Sequence, residues 1–238
     1  MTVPTTAREV LARLDALRTD EQLAAYERYF PLDERGDDVF IGVRMGDVFT
    51  LAKTAELPLD EVEVLLDSDV HEARVCAVSI LDARARRPRT TDDDRRALYD
   101  LYLRRHDRIN TWDLVDRAAL HVVGRYLETR DRAPLYELAA SADPYERRTA
   151  IVATMYYLRA AADGADTADT FAIAALLLDD DADTVHKGVG WALRTAGGEG
   201  LTSFLDEHAA RMPRVMLRAA VERLPKDERA RYLSHGPN

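Results

Sequence analysis

Cysteine is nearly absent from the sequence: Cys76 stands alone, so no internal disulfide can form and no paired-thiolate metal site can be assembled. That usage agrees with a reducing compartment, and the setting Val75-Cys76-Ala77-Val78 predicts a small core residue rather than a nucleophile. No apolar run approaches the roughly 20 residues needed to span a bilayer. The first residues, Met1-Thr2-Val3-Pro4-Thr5-Thr6, lead into Arg8, Glu9 and Arg13 instead of an apolar signal core. A soluble, unexported, cytoplasmic protein with no membrane partner is therefore expected. Lysine is also scarce, since Lys53, Lys187 and Lys226 are the only lysines among 33 basic residues. The net charge of −10 excludes a generally basic surface, because phosphate contacts need local positive potential. Arginine does suit bidentate phosphate contacts, although a GC-rich coding bias produces the same excess.

Common catalytic signatures are missing as well. Gly36, Gly42 and Gly46 do not end in the GK[ST] of a phosphate loop, and there is no Gly-x-Ser-x-Gly elbow. His71, His106, His121, His186, His208 and His235 show no HExxH spacing, so each reads as a polar helix residue and no metal site is expected.

What is present is helical periodicity from end to end. Apolar residues recur three and four apart, as in Val10/Leu14/Leu17, Val62/Leu65/Leu66 and Leu98/Leu101/Tyr102. Pro58, Pro134, Pro144, Pro213 and Pro225 fall where helices should start, and Gly164 and Gly197-Gly198 where they should end. About a dozen helices in one domain over residues 1–238 are expected. Segments joining a basic residue to small and large apolar ones recur at Arg74, Arg148, Lys187 and Arg218, roughly one to two periods of a helical repeat apart. Stacked helix pairs of this kind form an all-α superhelical solenoid with a concave binding face. In that register Arg74, Trp112, Arg148, Lys187 and Trp191 approach one surface, and the acidic runs Asp92-Asp93-Asp94 and Asp179-Asp180-Asp181 lie in turns or outside.

The most informative stretch is Asn110-Thr111-Trp112-Asp113-Leu114-Val115-Asp116. Trp112 and Asp116 are four apart and share a helix face, as do Asp113 and Arg117. An indole beside a carboxylate offers a stacking surface and a negative charge, a pairing that suits a cationic sugar or base. Taken alone, the residues favour a buried indole beside a capping or paired carboxylate.

This run resembles the Asn-x-Trp-Asp-x-Val-Asp signature of the AlkD-type DNA alkylation repair glycosylases. Tyr145-Glu146-Arg147-Arg148-Thr149-Ala150-Ile151 is similar to the family's Arg-Arg-Thr-Ala-Ile block, and Lys187-Gly188-Val189-Gly190-Trp191-Ala192-Leu193-Arg194 to its Lys-x-x-Gly-Trp-x-Leu-Arg block. Phe40-Ile41-Gly42-Val43-Arg44 is similar to its Phe-x-Gly-Val-Arg segment. The blocks occur in family order over about residues 20 to 225. Three departures stand out: Tyr145 where relatives have Trp, Gly188 where Ala is usual, and Gly197-Gly198-Glu199 in place of a more basic turn.

The resemblance implies HEAT-like repeats and a glycosylase that hydrolyses the N-glycosidic bond of cationic N3- or N7-alkylpurines in duplex DNA. It places Trp112 and Trp191 around the lesion's deoxyribose, Asp116 near the anomeric carbon and Arg148 on the DNA backbone. Arg74, Arg147, Lys187, Arg194, Tyr145 and Tyr26 are the further DNA-contact candidates, with Tyr29 nearly as good a match as Tyr26. The damaged base is read without rotation into a pocket, no cofactor is required, and a monomer suffices. The acidic charge keeps one other function in view, a non-catalytic repeat scaffold that binds a protein partner or a DNA structure.

Overall fold

The computed structural model describes residues 3–30, 37–160 and 166–235, with the side chains of 159, 160 and 235 excepted; Gly36 and the expected helix end at Gly164 lie outside these residues. The chain forms two compact units, Met1–Ala118 and Ala119–Asn238. Both are helical, and among the described residues the extended pairing is limited to one isolated bridge between Val39 and Val70. No helix among them is long and apolar enough to cross a membrane.

The first unit contains α1 (Ala7–Leu17), α2 (Asp20–Tyr26), α3 (Met45–Thr54), α4 (Leu59–Leu66), α5 (His71–Arg86), α6 (Asp92–Arg104) and α7 (Trp112–Ala119). Local chemistry sets the helix starts. Thr6 and Thr91 form capping boxes with Glu9 and Asp94, satisfying backbone N–H groups that the first turn leaves without partners. Thr19 caps α2 through Gln22, and Pro58 precedes α4. The expected acidic run Asp92-Asp93-Asp94 is exposed in the first turn of α6, where negative charge suits the helix dipole.

At the centre of this unit lies α5, against which α3, α4, α1 and α6 pack. Every residue from His71 to Asp82 is buried, Cys76 among them, and burial pushes its thiol up to about 12. A helix buried all round is expected to be apolar. This one carries His71, Glu72, Arg74 and Asp82 inside, so each charge requires partners supplied by the surrounding chain. Glu72 illustrates how this is met: its carboxylate accepts the backbone N–H groups of Ile41, Gly42 and Val43, with the Gly42 bond at 2.8 Å. The segment entering α3 is thereby fixed. Gly42 is needed there, because its φ is +80° and a Cβ would collide with the Thr19 carbonyl.

The second unit opens on a π-helical stretch, Leu120–Gly124, and continues through α8 (Arg125–Leu127), α9 (Ala133–Ala139), α10 (Pro144–Thr154), α11 (Tyr157–Ala160) and α12 (Ala168–Leu176). It ends with α13 (Asp183–Ala196), α14 (Gly198–His208), α15 (Arg214–Ala220) and α16 (Lys226–His235). Here α10 packs on α9, α12 and α13, and α13 packs on α14 and α15. The recurring segments expected from sequence sit on α5, α10, α13 and α15. The prolines stand where the sequence places them, at or just before the starts of α4, α9, α10, α15 and α16.

Two glycines of α13 separate close packing from ordinary contact. A Cβ at Gly190 would lie 2.6 Å from Ala219 Cβ and from the Met216 carbonyl oxygen, whereas one at Gly188 would meet Arg148 and Ile151 at 3.4 Å. Helix propensity favours alanine at both by up to about 1 kcal/mol. Gly188→Ala should therefore hold or raise stability, while overpacking makes Gly190→Ala lose about 1–3 kcal/mol. Urea unfolding of the two variants checks the opposite signs, and equal stabilities would refute the close approach.

Candidate functional site

α7 begins at Trp112, and its 3.6-residue turn brings Trp112, Asp113, Asp116 and Arg117 to one pocket of about 520 Å³. The facing wall comes from Tyr26 at the end of α2, Tyr29 and Phe30 after it, Arg44 just before α3, and Met45 and Phe49 in its first turns. Trp112 is 40% accessible and Tyr29 59%, the latter unusual for so large a ring. Arg117 is turned aside: its Nε donates to Ser79 Oγ at 2.9 Å, its Nη2 lies 3.5 Å from Asp82, and its guanidinium covers the Phe49 ring at 4.3 Å.

Behind Trp112 the pocket rests on stacked rings. Phe30 lies nearly parallel to the indole, 5.6 Å away with 12° between planes, and Phe40 packs at 5.0 Å on Phe30 and 5.5 Å on Tyr26. The Tyr26 hydroxyl donates to the Val43 carbonyl, so this ring is tied at both ends. His71 lies under the stack, 4.4 Å from Phe40 and 5.0 Å from Phe30. Its Nε2 is 2.8 Å from Asp113 Oδ2 and its Nδ1 3.6 Å from Asp38, while Asp113 also accepts the Thr111 hydroxyl at 2.7 Å. The start of α7, and with it Trp112, is thus anchored to α5 through a buried charge network.

Burial alone would lower the His71 pKa, but the hydrogen bond and charge of Asp113, together with Asp38, outweigh it and raise the group to about 9, with Arg74 opposing. A folded pKa above the unfolded value contributes stability that is complete below the unfolded pKa of about 6.5 and disappears as pH rises through the folded one. Unfolding free energy should therefore decline between about pH 6.5 and 9 in the parent, and this component should vanish in His71→Gln. Urea titrations across that range measure it, and parallel pH profiles would contradict a charged His71.

A profile of the DNA alkylation repair enzyme family matches residues 10–224, almost the whole chain. The chain belongs to this family. No curated protein matches it.

The other expected site residues of this DNA alkylation repair enzyme fall into different environments. Arg74, expected on a DNA-facing surface, is 0% accessible; it pairs with Asp38 and donates to Asn110 Oδ1 at 2.6 Å. The expected surface position is not where the structure puts it: the guanidinium is enclosed by α5, Asp38 and the loop before α7. In the second unit Arg148 is 4% accessible, packed against Gly188 and donating to the Thr184 carbonyl, so it ties α10 to the start of α13. Arg147 grips Asp180 with two bonds, at 2.6 and 3.0 Å, and also binds the Ser141 and Ala142 carbonyls. Arg194 is paired with Glu222. Lys187 is exposed, and Trp191 and Tyr145 are partly so.

Sequence reasoning passed over His71, Phe30 and Asp38, the support beneath Trp112. One signal was available: three ionisable residues, His71, Glu72 and Arg74, crowd the first turn of a helix that continues in the apolar run Val75-Cys76-Ala77-Val78. Nothing local indicates that Phe30, eighty-two positions before Trp112, would stack on it.

Proposed function

We propose that this alkylation repair protein is a DNA glycosylase that hydrolyses the N-glycosidic bond of cationic N3- or N7-alkylpurines in duplex DNA. The observation that carries the reading is Trp112 and Asp116 on the wall of one aromatic pocket, in a chain of the alkylation repair family. Alkylation makes the purine cationic and hence a good leaving group. As the C1′–N bond breaks, its electron pair departs with the base and positive charge develops on the sugar. Asp116 stabilises that charge and orients the water that adds to C1′, whose proton is then lost to solvent or to the carboxylate. The indole of Trp112, held by Phe30, offers its π face to the same cation. In this reading Lys187 and Trp191 on α13 contact the DNA, a role that the exposure of Lys187 and partial exposure of Trp191 support, and Arg148 acts by holding that helix. The protein works as a cytoplasmic monomer.

The test is base release from duplex DNA carrying N7-methylguanine or N3-methyladenine, at low and at moderate salt, since phosphate attraction weakens with salt. Release by the purified protein supports the reading. Folded protein that releases no base under either condition overturns it, and negligible duplex binding at low salt would then point to a protein-binding scaffold.

A further inference from the structure

We propose that His71 is a positioning residue for base release, holding Trp112 from beneath through Asp113 and Phe30. This rests on the glycosylase reading above. His71 is 0% accessible, so it reaches the sugar only through other side chains. Two separate routes lead from the imidazole to the indole. Along the chain, its Nε2 lies 2.8 Å from Asp113 Oδ2, and Asp113 directly follows Trp112. Through space, the imidazole packs 5.0 Å from Phe30, which stacks on the indole with 12° between planes.

The need for such support follows from exposure. Trp112 is 40% accessible, and an indole so exposed has several staggered rotamers open to it unless its neighbours exclude them. Stabilising a cationic sugar requires the indole to present its face, and a displacement of about 1 Å at a reacting centre can lose on the order of 10² in rate. Charge explains why histidine stands there. Burial opposes the charged imidazole, yet Asp113 and Asp38 outweigh both burial and the opposing Arg74, so the ring keeps its proton at neutral pH and Nε2 donates. Asp113 is then held at both oxygens, Oδ2 by His71 and Oδ1 by the Thr111 hydroxyl at 2.7 Å. Of the two carboxylates on this wall, Asp113 thus orients the start of α7 and leaves the sugar to Asp116.

Single-turnover base release from N7-methylguanine duplex, measured beside affinity for undamaged duplex, tests this. His71→Leu and Asp113→Ala should each slow release about 10- to 100-fold while duplex affinity stays at the parent value. The double variant should be no slower than the slower single, because both changes cut one connection. Asp113→Asn should keep most of the rate, since its amide oxygen still accepts from His71 and its NH2 group donates to Thr111. Asp38→Asn is the control for stability: it removes the charge of the other carboxylate facing His71, 3.6 Å from Nδ1, and should lower the melting temperature with the rate retained. Should His71→Leu fail to fold, the three aspartate variants carry the same comparison. A parent rate in His71→Leu or Asp113→Ala, losses that multiply in the double variant, an Asp113→Asn protein as slow as Asp113→Ala, or an Asp38→Asn protein as slow as Asp113→Ala would overturn the proposal and leave the glycosylase standing. A parent protein that releases no base would instead overturn the glycosylase reading, and the proposal with it.

Discussion

Asp116→Asn should reduce base release from N7-methylguanine duplex by about 10²–10³-fold, equivalent to roughly 2.7–4 kcal/mol of lost transition-state stabilisation. The substitution keeps volume and shape and removes only the charge. Ground-state binding of DNA gains little from a carboxylate near phosphates, so affinity for undamaged duplex should hold or rise slightly while the single-turnover rate falls. Asp116 is partly accessible on α7 and is not among the buried charges of α5, so the variant should still unfold cooperatively. Single-turnover rates of parent and variant at saturating enzyme make the comparison. Equal rates would remove Asp116 from the chemistry.

Arg74→Ala should cost about 3–5 kcal/mol of folding stability, because it leaves the partly buried Asp38 carboxylate with only His71, 3.6 Å away, and also removes the donor to Asn110. Native domains hold only about 5–15 kcal/mol in all, so the melting temperature should drop by on the order of 10 °C. Hydrophobic burial cannot compensate, since the alanine leaves a cavity at a position with no accessible surface. A cycle that adds Asp38→Asn should recover part of the loss, because that charge is then gone. Denaturant unfolding of the four proteins decides it. If Arg74→Ala instead left stability unchanged and weakened duplex binding, the guanidinium would have to face DNA after all.

These two residues mark how far the sequence could be read. Asp116 lies one helical turn from Trp112, and such a relation is fixed by the period of the helix, so the shared wall was legible from spacing. Arg74 sits in an equally regular place on a repeat-like segment, yet the same spacing gave it the wrong environment. A helix has no intrinsic inside until other helices cover it, and α5 is covered on every side.

Helix content, helix starts and family membership were determined by the sequence itself, because caps, prolines, apolar period and ordered motifs are local properties of the chain. Only the tertiary structure decided that His71, Asp38 and Phe30 anchor Trp112, that Arg74 is an internal cation, and that a ring-lined pocket lies beside Asp116. Those relations join residues some thirty to eighty positions apart, and packing alone sets which charges lose their water and must find partners within the fold.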